Sequence, residues 1–373
     1  MDKFVPYLGI VAALLLCVFV VAFFDTTTMV RAPSAIDISN ASSTIPAIIP
    51  PVATSTSADS VPEKSVSPKA KPPASVAPIV TAPISSPIVA TSSSKNTNQS
   101  LDTSATTLRD ALVNIICYAP SGNAFHSISA SGVIIDPKGI ILTNAHVAQY
   151  FLLADRGVSC TIRSESPAAN RYNAALVYIS PTWLQANATV LTESLPNGTG
   201  ENDFALLAIS KSITRTPLPL SFPFVPLATT PPAAGTPVVI ASYGAQFLIS
   251  SQIQSSLFPI IVFGSVKDIF TFRRNTVDVF ALGGSVAAQE GSSGGGVVDA
   301  SGALIGTITT STISGATDTR SLGAITSSYI RAEYANETGS ALDLLLSETT
   351  KTSIADFAPR IPALEAVITA GLP

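Results

Sequence analysis

Charge is scarce in this chain. Of its 373 residues only 12% are Asp, Glu, Lys or Arg, about half of the ~25% usual in soluble domains. That scarcity excludes a coiled coil, a charged tail and a nucleic-acid binder. Twenty Lys and Arg against twenty-four Asp and Glu leave no basic excess to neutralise phosphates. Cysteine is nearly absent as well, and three of them exclude a disulfide-dense mini-scaffold and a four-cysteine zinc site. Histidine occurs only twice, at His126 and His146. From Asp25 to Cys117 there is neither an aromatic residue nor a glycine.

The distribution of what is present sets the organisation. Phe4 to Phe24 carries no charge, and Leu8 to Phe24 is apolar throughout, long enough to span a bilayer core. It exceeds the usual h-region of a secretory signal, and no small-residue cleavage site follows closely. The expectation is an uncleaved single-pass anchor over 1–24, in contact with lipid through residues 4–24, with a cleaved signal peptide as the alternative. Pro33 to Pro87 then holds eleven prolines among Ser, Thr, Ala and Val. Such a segment buries too little apolar surface to offset its ordering entropy, so 25–105 reads as a disordered, semi-extended spacer.

Glycine and aromatics return after Tyr118. Short runs rich in Val, Ile and Thr follow one another from there, split by Gly, Pro, Asn and Asp. Asp136-Pro137-Lys138-Gly139 is a tight turn between two of them. Many short strands without alternating helices indicate an all-β barrel or sandwich. Thr107–Ile116 reads as a short lead-in helix, and 348–373 as a helical or irregular tail.

Three stretches carry chemistry. His146 ends the apolar strand Ile140–Asn144. Asp203 opens another, Phe204–Ile209, where a buried carboxylate needs a partner. Ser293 lies in Gly291-Ser292-Ser293-Gly294-Gly295, where glycines let successive N–H groups converge on one point. A serine there is placed for attack with those N–H groups as an oxyanion site. Each signal alone has an ordinary structural explanation. Together they run His146, Asp203, Ser293, spaced by 57 and 90 residues, in the chymotrypsin-type chain order.

The segments Ser131–Val147, Asn202–Leu207 and Gly291–Gly295, the last running on to Gly302–Gly306, resemble the trypsin-like serine proteases, and among them the bacterial HtrA/Deg branch. Gly296 stands where that family usually has proline, and Ser292 where it has Asp or Asn. Too few residues follow 345 for a PDZ domain. The resemblance implies two six-stranded antiparallel β-barrels over 106–347, with the site between them. His146 would act as general base, Asp203 would orient it, Ser293 would be the nucleophile, and the N–H groups of Gly291 and Ser293 would form the oxyanion hole. Thr309, Thr310 and Ser311 would pair with an extended substrate. The floor of the P1 pocket would fall at Ala287, with no acid in Gly284–Gln289 and Glu290 at the rim, implying a small or medium apolar P1 residue. Cys117 and Cys160 fall on neighbouring strands of the family's first barrel. A disulfide would join them and place the domain outside the cytoplasm, two buried free thiols being the alternative.

The function expected is that of a membrane-anchored, extracytoplasmic serine endopeptidase acting on protein or peptide substrates, with no metal and no cofactor. The alternative is a catalytically silent anchored binding protein on the same fold.

Overall fold

A computed structural model of the chain describes residues 93–122, 125–193, 198–273, 275–311 and 315–372. The expected anchor at 4–24 and most of the spacer lie outside the described residues. Among the described residues no helix is long and apolar enough to cross a membrane.

Among the described residues the first element is the helix Ser93–Ala111. The spacer boundary expected at 105 therefore falls inside a helix, and Leu101, Ala105, Leu108 and Ala111 of that helix are buried. The expected helix over Thr107–Ile116 is corrected too. It stops at Ala111, and Leu112–Tyr118 is strand β1. Its run Leu-Val-Asn-Ile-Ile-Cys-Tyr is rich in β-branched residues and is held on both sides, by β2 and β4.

Six antiparallel strands close the first barrel: β1, β2 (Ile128–Asp136), β3 (Ile140–Thr143), β4 (Ser159–Ser164), β5 (Ala169–Ile179) and β6 (Ala205–Ser212), in the order β1-β2-β3-β6-β5-β4. Cys117 and Cys160 are register partners on β1 and β4, and they form a disulfide across the seam. Of the two states open from sequence, the bonded one holds.

The second sheet departs from expectation. It has seven strands, not six: β7 (Pro237–Ser242), β8 (Ile260–Ser265), β9 (Asp268–Phe270), β10 (Val279–Ala281), β11 (Gly296–Asp299), β12 (Leu304–Ser311) and β13 (Leu322–Thr326). Their order is β8-β7-β11-β12-β13-β10-β9, and the sheet is open. The chain leaves β8 after Ser265 and pairs with β10 through the three-residue β9. The β9–β10 ladder is extended by the Lys267 N–H, which donates to the Ala281 carbonyl at 2.8 Å. The pair of sheets, one closed and one a half-barrel, fits a trypsin-like fold.

The C-terminal part is helical: Ser327–Thr338, Leu342–Ser347, Thr350–Phe357 and Ile361–Ala370. It packs back on the first barrel. Tyr178 and Ser180 on the barrel both donate to the Glu337 carboxylate, and Tyr334, Phe357 and Ile368 join the first barrel's core. The main core runs through that barrel and the helix Ser93–Ala111, while a smaller apolar cluster fills the second sheet around Ile240, Phe280, Val297 and Ile308.

Candidate active site

His146 and Asp203 are brought together by strand register. β3 and β6 are antiparallel neighbours with Thr143 opposite Ala205 and Ile141 opposite Leu207. The chain leaving β3 and the chain entering β6 are therefore side by side, although 57 residues separate the two side chains. Asn144 ties them further, its Nδ2 donating to the Asp203 carbonyl at 2.9 Å.

The pair is well made. Asp203 Oδ2 lies 2.8 Å from His146 Nδ1, and Asp203 Oδ1 accepts from the His146 backbone N–H at 3.0 Å. Thr309 Oγ1 donates to the same Oδ2 at 2.7 Å. Burial by itself would raise the Asp203 pKa, but the His146 charge and the hydrogen bonds from His146 and Thr309 outweigh it, and the carboxyl is held below its usual range. For His146 burial alone would lower the pKa, and the Asp203 charge and hydrogen bond raise it above the ordinary value of 6.5. An ionised carboxylate only accepts, so Nδ1 carries the hydrogen and Nε2 is left free to take a proton. The imidazole is 31% exposed and the carboxylate 8%: the base faces the surface and its anchor does not.

Asn202, just before Asp203, adopts φ +57°. Its N–H donates to the Tyr329 hydroxyl at 3.1 Å, and that hydroxyl donates to Asn202 Oδ1 at 3.1 Å. Tyr329 belongs to the helix Ser327–Thr338, so an element past the second sheet holds the turn that aims Asp203.

Ser293 sits on the turn entering β11, which is pinned on two sides. The Ser131 N–H, on β2, donates to the Ser293 carbonyl at 2.8 Å, and the Gly294 N–H donates to the Ile308 carbonyl on β12 at 2.9 Å. Ser131 Oγ donates to the Gly291 carbonyl at 2.7 Å and accepts from the Tyr243 N–H at 2.8 Å. One first-barrel serine thus clamps the turn of the second sheet. Only glycine suits position 294, where φ is +82° and a Cβ would meet the Ser131 carbonyl oxygen at 2.0 Å. The two candidate serines differ sharply. Ser292 is 1% exposed and accepts at its Oγ from Ser242 Oγ at 3.1 Å, whereas Ser293 is half-buried and opens to the surface. Gly291 has φ +91°, and among the described residues neither its N–H nor that of Ser293 has an acceptor.

Thr309 is buried and its hydroxyl turns inward to Asp203, so its side chain supports the carboxylate. The backbone of the segment remains suited to pairing. β11 reaches β12 only as far as the Gly296–Thr307 pair, and among the described residues Thr310 and Ser311 have register partners only in β13, at Gly323 and Leu322. Ala287 is fully buried with Val238, Ile240 and Phe280 in the second sheet's apolar cluster. Sequence reasoning also missed Ser131 as a clamp, Tyr329, and the buried arginine Arg320. For Arg320 a signal existed: it is the only Lys or Arg between 275 and 330. Among the described residues no group of His, Cys, Asp and Glu gathers to hold a metal ion.

Thr309 of β12 bonds Asp203 and Ser131 of β2 bonds Ser293, so the His–Asp pair and the serine turn both lie where the closed barrel meets the open sheet. Residues 130–306 match the family model described as the trypsin-like peptidase domain. The chain is similar to the solved structure of the active form of the Rv3671c protease from M. tuberculosis, at 18% identity and a TM-score of 0.41, covering 70% of this chain and 96% of that one. It is also similar to an inactive form of that protease, at 18% identity and a TM-score of 0.40, covering 69% and 100%. No curated protein sequence matches the chain.

Proposed function

We propose that the chain is a serine endopeptidase of the trypsin-like type, held at a membrane by residues 4–24 with its protease domain on the extracytoplasmic side. The observation that carries the chemistry is the Asp203–His146 pair, bonded at 2.8 Å and polarised so that Nε2 is free. His146 takes the Ser293 hydroxyl proton as Oγ attacks the scissile carbonyl, and returns it to the leaving amine. Asp203 holds the tautomer and stabilises the imidazolium. The unengaged N–H groups of Gly291 and Ser293 receive the oxyanion, a donor of this kind being worth about 3–4 kcal/mol. An extended peptide lies along the open edge of Thr309–Ser311. The Cys117–Cys160 bond supports an oxidising compartment.

The test is labelling of the full-length protein by a fluorophosphonate together with digestion of an unfolded protein substrate. Both should occur in the wild type and neither in Ser293→Ala. Labelling without digestion would favour a hydrolase of another substrate. A protein that binds peptides but does not label would be the silent relative.

A further inference from the structure

We propose that the cavity lined by Tyr172, Phe222 and Tyr243 is a second binding site, which takes the C-terminal end of a peptide with an aromatic last side chain inside and its carboxylate on Arg109. The inference rests on the peptidase reading for the source of that peptide, since each hydrolysis releases a fragment with a new C-terminal carboxylate. The cavity holds about 540 Å³, within the ~300–1,000 Å³ of small-ligand sites. Four parts of the fold meet around it: Arg109 from the helix Ser93–Ala111, Tyr172 from β5, Phe222 and Pro223 from the chain between β6 and β7, and Tyr243 and Pro259 from the two ends of the β7–β8 connection. His146, Asp203 and Ser293 are not among its lining residues. Tyr243 separates the two places. Its backbone N–H donates to the Ser131 hydroxyl that clamps the serine turn, while its side chain lines the cavity and its own hydroxyl donates to the Glu165 carbonyl at 2.8 Å.

The lining selects the ligand. Tyr172 and Phe222 meet edge to face with ring centroids 5.4 Å apart, and with the two prolines they offer an apolar surface on which a further ring packs. Arg109 is exposed, and among the described residues its guanidinium has no hydrogen bond or ion pair. Its charge and that of Arg163 both bear on the Tyr243 hydroxyl. The partners of Arg163 are all carbonyl or amide oxygens, which leave its charge unneutralised. Three cations, Arg109, Arg163 and Arg171, thus stand against two anions, Asp110 and Glu165, and Glu165 is already paired with Arg171 at 2.6 Å. The excess is positive, so the site favours an anion with an apolar body. A terminal carboxylate on Arg109 gains a charge-assisted pair that the planar guanidinium can make bidentate. An amidated terminus keeps the apolar contact and loses that pair. The volume suits a ligand larger than a lone amino acid, so the residues before the last one enter with it.

The experiment uses the full-length protein in detergent after treatment with a fluorophosphonate, so that the cleft is blocked and no peptide is cut. A dye-labelled peptide, Gly-Ser-Gly-Ala-Phe, is titrated by fluorescence anisotropy with a free C-terminal carboxylate and with a C-terminal amide, and N-acetyl-phenylalanine is added as competitor. The carboxylate peptide should bind at least about tenfold more tightly than the amide and than N-acetyl-phenylalanine. Arg109→Gln, an exposed change, should weaken the carboxylate peptide to the level of the amide and leave the amide unchanged, and Arg109→Lys should recover part of the loss. Tyr172→Ala should weaken both peptides. Equal binding of the two peptides, no binding, or indifference to Arg109→Gln overturns the site. Competition by N-acetyl-phenylalanine as strong as by the peptide overturns the peptide assignment in favour of a small aromatic acid. Protein that binds the carboxylate peptide through Arg109 but neither labels nor digests keeps the site and overturns the peptidase reading, and with it the product as the source of the ligand.

Discussion

The first sheet closes on itself, whereas the second leaves β8 and β9 as edges. The closed barrel has every strand paired on both sides, a disulfide across its β1–β4 seam, and the C-terminal helices packed on its outside. It holds the two groups that must keep a fixed mutual geometry, His146 and Asp203. The open sheet carries the serine turn, and its β12 runs beyond the end of β11. Its edge strands expose Phe263 at 53% and Phe270 at 54%. In the proposed reaction, proton relay requires rigidity and falls on the closed side, and strand addition by a substrate requires unpaired backbone and falls on the open side. The clamp between them is Ser131, a first-barrel residue bonded to the turn of the second sheet.

Removing the nucleophile is the strongest way to break that division of labour. Ser293→Ala should lower kcat about 10⁵–10⁶-fold, while Ser292→Ala, which loses only a buried contact with Ser242, should cost less than about tenfold. Equal losses would move the nucleophile to Ser292. His146→Ala should match Ser293→Ala, and His126→Ala should not, since Tyr150 contacts only the His126 carbonyl.

Next in size is the relay. Asp203→Asn should lower kcat by about 10⁴-fold, because the imidazole loses its tautomer. The pH profile sharpens this. kcat/KM should fall as pH drops through a midpoint above 6.5, since His146 is raised, and Asp203→Asn should move that midpoint down. The stability linkage has the opposite limb. Asp203 is depressed below its ordinary 3.8, so its contribution is present above that value and lost as pH falls through the folded one. Thermal melts of Asp203→Asn should lose that acid-side slope.

Breaking the seam affects stability more than chemistry. Cys117→Ser with Cys160→Ser should cost about 2–4 kcal/mol in denaturant melts, with site titration at low temperature little changed. A loss of labelling in protein that remains folded would mean the seam positions the site directly.

A smaller effect than those at the relay is expected at Tyr329. Tyr329→Phe keeps the ring on Phe272, 5.2 Å away, and removes both bonds to Asn202. kcat should fall about tenfold, the ~1–3 kcal/mol of an unpaired buried N–H, with KM unchanged and the pH midpoint displaced. An unchanged pH profile would leave Tyr329 a packing residue only.

The elements legible in the sequence were those with local signals. The strand ending at Asn144 and the Asp-Pro-Lys-Gly turn were evident from period and turn chemistry, and the His, Asp and Ser stretches stood out because each breaks an apolar or glycine pattern. The helix Ser93–Ala111 was hidden because its Ser, Thr and Asn content reads as spacer. Its stability comes from burying Leu101, Ala105 and Leu108, which no local propensity reveals. The open second sheet was hidden for a similar reason, since pairing order depends on which edges meet after the chain has folded.

By itself the sequence determined the chemistry-bearing residues, their chain order and the presence of many short strands, because residue type and local periodicity are properties of neighbours along the chain. Only the tertiary structure decided that Ser131 clamps the serine turn, that Thr309 and Tyr329 serve Asp203, that Ala287 is buried and that Arg320 reaches Ala288. Those bonds join residues 32 to 160 positions apart, and they exist only where strand pairing and burial bring distant backbone together, which no local pattern encodes.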